Sequence, residues 1–232
     1  MIDRASVTDA IKRRYGVQLN PSWLTHCLHH INNDMAGTSN LHIEAQIRLV
    51  VEQLLNSEIG ESCQATLSAD LQARQFLNPP GAFLQIQEIM DIGVSKFAML
   101  EAVRAKEDYE VRGMRPSYLP PLDEDEEANT GEAAEPVEPV DQEPKLPRGM
   151  LKLMLTDGRT RFSAVEMAKI EQLHVELPIG TKVMVSGGKL MPLGVFQLEL
   201  GCVKVLGGAP PQYAQFTLKQ RLEKILHPEG QR

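Results

Sequence analysis

Three histidines, His26, His29 and His30, stand at i, i+3 and i+4 in one apolar-periodic stretch. That spacing places two imidazoles on one helix face and could seat a metal, but no third ligand is spaced nearby, so solvated or half-buried histidines are expected. The run Asp123-Glu124-Asp125-Glu126-Glu127 supplies the carboxylate pairs of general acid–base work. Its surroundings are prolines and further acids, which cannot hold two carboxylates at fixed geometry, so a solvated charge block is expected. Gly180-Thr181-Lys182 ends like a phosphate-binding loop but lacks the glycine-rich stretch before it. Neither a G-x-S-x-G elbow nor H-E-x-x-H occurs. The expectation is a protein that is not an enzyme and takes no cofactor or metal.

Composition narrows the setting. Cys27, Cys63 and Cys202 are an odd number at wide spacings, as in reduced thiols inside a cell. Met1-Ile2-Asp3-Arg4 lacks a basic region leading into an apolar one, and no apolar run approaches the roughly 20 residues of a membrane span. A cytoplasmic or nuclear protein with no membrane partner is expected. The net charge of −7 is local: residues 104–147 hold thirteen Asp/Glu against five Lys/Arg, leaving the rest nearly neutral.

The elements behind these residues divide the 232-residue chain into α and β parts. Val7, Ile11 and Tyr15 recur at four-residue spacing, with Ser6 and Asp9 placed like a capping pair. Asn20-Pro21 offers an N-cap and a proline at N1, followed by the stripe Leu24, Cys27, Leu28, Ile31. Ile43, Ile47, Val50, Val51 and Leu54 mark a third helix. From Phe83 the period becomes two; Leu84, Ile86, Met90 and Ile92 define a strand in which Glu88 marks a bulge. Leu151, Leu153 and Leu155 precede the hairpin signal Asp157-Gly158, and Thr160, Phe162 and Ala164 follow it. After a stretch with room for a short helix come Thr181–Val185, then Phe196–Leu200 running on to Val203 and Val205. Leu218, Leu222 and Ile225 suit a last helix within 212–226.

The fold class is therefore α+β: an N-terminal three-helix bundle, a five-stranded OB-fold β-barrel with a long insertion between strands 1 and 2, and a C-terminal helix. The boundaries expected are 1–62 for the helical domain, 63–208 for the barrel with its insertion at 104–147, and 209–232 for the last helix and tail. Seven prolines and the acidic run in 104–147 predict a segment mostly disordered in isolation. Its first half, Tyr109 to Leu122, mixes apolar and aromatic anchors with prolines, as segments that order on a partner do.

An OB barrel also admits a single-strand or junction DNA binder. Candidate contacts are Lys12, Arg13 and Arg14 on the first helix and Arg159 and Arg161 at the hairpin. Aromatics are scarce, however, and Phe83, Phe162 and Phe196 read as core, so only weak or junction-type DNA contact is expected.

Four motifs occur in an order similar to that of the RecQ-mediated genome instability protein 1 family. They are Asn20-Pro21-Ser22-Trp23-Leu24, Met150–Gly158 (MLKLMLTDG), Leu177-Pro178-Ile179-Gly180-Thr181-Lys182 and Val203-Lys204-Val205-Leu206-Gly207-Gly208. The chain resembles the short form, as in fungal members, which ends after one OB domain. The resemblance implies a non-catalytic nuclear subunit with topoisomerase III and a RecQ-family helicase as partners, acting in double Holliday junction dissolution. It further implies that the insertion between strands 1 and 2 enters the topoisomerase gate region. On that footing Met114, Tyr118, Leu119 and Leu122 are the expected partner-binding anchors, and Lys182, opening the fourth strand, is expected on the docking surface.

Overall fold

The computed structural model describes residues 4–34, 43–67, 76, 80–112 and 144–227. Helix α1 (Arg4–Tyr15) buries Val7, Ile11 and Tyr15, one per turn. It already runs from Arg4, so Ser6 and Asp9 lie inside it rather than capping its start. Helix α2 (Pro21–Asp34) begins where Asn20-Pro21 predicts. The Asn20 Oδ1 accepts hydrogen bonds from the Ser22 backbone N–H at 3.2 Å and from its hydroxyl at 2.9 Å. Helix α3 (Ile43–Leu55) turns Val50 and Leu54 inward, and a one-turn helix α4 (Ile59–Ser62) follows. Phe83 and Met184 of the sheet complete the apolar cluster of these helices, so bundle and barrel share a core.

The sheet has seven strands, β1 (Ala82–Asp91), β2 (Leu151–Thr156), β3 (Arg161–Glu166), β4 (Lys182–Val185), β5 (Lys189–Leu190), β6 (Phe196–Leu198) and β7 (Val203–Gly207). Their order is β5-β6-β3-β2-β1-β4-β7. The fifth strand of the expected barrel is broken in two. Its first half, β6, lies parallel to β3; its second, β7, lies antiparallel to β4. A turn closed by the Cys202 N–H on the Glu199 carbonyl (3.2 Å) separates them, so one stretch of chain touches both sides of the curled sheet. The expected bulge is present, the β1–β2 register shifting between Ile86 and Glu88. Leu84, Ile86, Leu151, Leu153, Leu155 and Val183 fill the interior with the rings of Phe76, Phe162 and Phe196.

Two segments depart from expectation. Residues 167–181 contain turns and no helix; Leu173, Val175, Leu177 and Ile179 alternate into the core, and Pro178 and Gly180 oppose helical hydrogen bonding. The segment 104–147 does not begin irregularly: helix α5 (Lys96–Arg112) carries Tyr109 to Arg112 in its last turn. Ser95 caps α5, its hydroxyl accepting from the Ala98 N–H at 3.1 Å, and Met99, Leu100 and Val103 enter the barrel core. Helix α6 (Leu218–Leu226), started by a capping box between Thr217 and Gln220, packs along α5. Arg104–Glu223 (3.2 Å) and Lys219–Glu107 (2.5 Å) link the two helices.

Candidate functional site: the neck of the insertion

The chain leaves the barrel at the end of β1 and returns at the start of β2, and both crossings are tied to one carboxylate. Asp91, almost fully buried, accepts the Gly93 and Val94 N–H groups on Oδ1 (2.8 and 3.0 Å) and the Gly149 N–H on Oδ2 (2.7 Å). The Ile92 N–H adds a bond to the Met150 carbonyl at 2.8 Å. Glycine is required here because the strands nearly touch: a Cβ on Gly149 would lie 2.8 Å from the Gly93 Cα. The returning chain is held a second time. Arg148 pairs with both oxygens of Glu166 (Nη2–Oε2 2.7 Å), and Glu166 Oε1 also accepts the Leu151 N–H at 2.7 Å. Burial of Glu166 makes this fork an anchor.

This neck was not among the expected site residues. Its trace in the sequence is faint: an Asp ending a strand with glycine two residues on, and Arg-Gly before the next strand. The expected anchors Met114, Tyr118, Leu119 and Leu122 lie outside the described residues.

Lys182 is corrected. Its side chain is fully buried and faces the seam between bundle and barrel, where it cannot form a docking surface. Its Nζ donates to the Leu55 carbonyl (3.0 Å) and the Gly180 carbonyl (2.9 Å), tying the end of α3 to the sheet. Burial pulls its pKa down to about 8, partly opposed by Glu58 and Cys63. Beside it, Gln85 donates to Glu58 (2.9 Å) and accepts the Ile59 N–H (3.0 Å). The apolar flanks that made Lys182 look like a strand opener are what place it inside.

Lys12, Arg13, Arg14, Arg159 and Arg161 are all exposed. The hairpin is a four-residue loop rather than a two-residue turn, because Asp157 turns inward as an acceptor. It takes the Arg159 and Thr160 N–H groups on Oδ1 and the Thr66 and Leu67 N–H groups on Oδ2, at 2.7–3.0 Å. Lys12 lines a polar hollow with Gln18, Gln64 and Thr66, and Arg13, Arg14, Arg159 and Arg161 lie outside it. His26, His29 and His30 are exposed, and among the described residues no group of three His, Cys, Asp or Glu could hold a metal. No helix among the described residues is long and apolar enough to cross a membrane.

The sequence model described as RMI1, N-terminal OB-fold domain, matches residues 55–221, and that of the RMI1 N-terminal helical domain matches residues 11–62. Curated relatives carry the name RecQ-mediated genome instability protein 1. That of Mus musculus is 30% identical over 83% of this chain and 28% of its own length. That of Gallus gallus is 29% identical over 88% of this chain and 30% of its own, and that of Arabidopsis thaliana 24% over 99% and 30%. The chain thus spans less than a third of these relatives. Its helical bundle, OB-type sheet and matched ranges place it in the RecQ-mediated genome instability protein 1 family.

Proposed function

We propose that the chain is a non-catalytic nuclear subunit of a RecQ helicase–topoisomerase III complex, promoting decatenation and double Holliday junction dissolution. Its working part is the insertion between β1 and β2, presented to the topoisomerase gate. The observation that carries this reading is the neck: Asp91, Gly93 and Gly149 tie together the two crossings by which the chain leaves β1 and returns to β2. A segment can shift a gate only by binding its open and closed states unequally, and a fixed base lowers the entropy lost when it binds. Met114, Tyr118, Leu119 and Leu122 supply the apolar contacts in this proposal.

The test keeps α5 whole, since it packs on α6, and replaces residues 113–143 with a short glycine–serine linker. The variant is expected to melt like the parent, co-purify with topoisomerase III and fail to stimulate decatenation. Full stimulation by the variant refutes the mechanism.

One observation supports a second reading, a single-strand or junction DNA binder acting without a topoisomerase: Lys12, Arg13 and Arg14 of α1 and Arg159 and Arg161 of the hairpin are all exposed. Nanomolar affinity for short single-stranded DNA at physiological salt, lost on reversing Lys12 and Arg159, would favour it.

A further inference from the structure

We infer that the groove between the second half of β1 and α6 is a docking site for a linear segment of a partner protein, apolar at its centre and flanked by carboxylates. This is independent of the insertion's role. The groove holds about 370 Å³ and is walled mainly by apolar groups. Its floor is buried core, Ile89, Met99 and Leu222, so it cannot collapse without disturbing the barrel. Its rim carries two large apolar side chains in the open, Phe216 and Ile225, 41% and 46% exposed. Glu88, where the β1–β2 register shifts, stands in its wall.

The flanking charge names the occupant. Lys96, Arg221 and Lys224 border the groove against Glu88 and Asp91. Lys96 donates to the Asp91 carbonyl at 2.8 Å and its charge offsets that residue's carboxylate, which leaves Arg221 and Lys224 against Glu88, a net positive border. Arg221 adds a second pointer. Its Nη atoms donate to the Ile89 and Val175 carbonyls (3.1 and 2.6 Å), while its buried Nε has no acceptor among the described residues. Two apolar side chains on the floor with acids at the rim satisfy both features. A basic or neutral segment satisfies only the first.

Fluorescence anisotropy on the full chain tests this with a labelled synthetic peptide bearing two leucines followed by four glutamates. Binding in the micromolar range is expected, weakening at least tenfold when the leucines become alanine, and several-fold with Lys224→Glu or Ile225→Asp. Both substitutions are at exposed positions, and an unchanged melting temperature shows that they spare the fold. Equal affinity for a peptide with lysines in place of the glutamates overturns the charge argument. Failure to bind at millimolar peptide overturns the site. Self-association of the free chain that Ile225→Asp abolishes, seen by sedimentation, overturns the choice of occupant in favour of a second copy.

Discussion

Replacing Lys182 with methionine isolates the seam between bundle and barrel, and pH supplies the signature. Methionine matches the stem but loses the ammonium that donates to Leu55 and Gly180. In the folded chain Lys182 titrates at about 8, against an ordinary 10.5. Between those values the unfolded chain binds the extra proton, so this group makes stability rise with pH from about 8 to 10.5. At 1.36 kcal/mol per pH unit the full gain is roughly 3 kcal/mol, reduced wherever the seam relaxes to admit water. The Lys182→Met chain lacks this gain. Urea unfolding of both chains at pH 7 and pH 10 measures it, and groups common to the two cancel in the difference. The parent's stability relative to Lys182→Met is expected to increase by about 2–3 kcal/mol over that interval. A relative stability that stays flat from pH 7 to pH 10 refutes the reasoning.

Other perturbations follow from the same contacts. Asp91→Ala strands three backbone N–H groups and is expected to cost about 2–4 kcal/mol, read as a lowered urea midpoint. Gly149→Ala drives a methyl against the Gly93 backbone and should cost about 1–3 kcal/mol, while Gly194→Ala, with open space around it, reports the backbone strain alone. Cys27 and Cys63, raised by burial to about 11, hold roughly one thiolate in a thousand at pH 8. Thiol-reagent kinetics should therefore be slow for them in the native chain and fast in denaturant. Charge reversal at Lys219 or Glu107 alone is expected to lower the urea midpoint slightly, and the double swap to restore it.

The helices and strands were readable wherever a single period governed burial. Val7, Ile11 and Tyr15 and the Asn20-Pro21 start of α2 are patterns of neighbours a few residues apart. Helix α5 was obscured because its support is distant: Glu107 pairs with Lys219 and Arg104 with Glu223, more than a hundred residues apart. Composition alone therefore assigned its last turns to the proline-rich segment. Lys182 misled for a related reason, since a lysine on an alternating strand looks solvated until α3 is seen to cover it. The Asp91 neck was harder still. One aspartate joins glycines on both sides of an insertion, and no local pattern records that closure.

The broken fifth strand has a bearing on aggregation. Because β6 and β7 belong to one run of chain placed against opposite strands, that run lies near both rims of the sheet, where a stranger's backbone could zip. The two rims are β5, only two residues long and begun by an exposed lysine, and β7, five residues long, whose Val205 N–H is taken by the Gln172 side-chain oxygen at 2.8 Å. Rims this short and this obstructed give a neighbouring chain little ladder to extend, while the side chains around them stay open to contact.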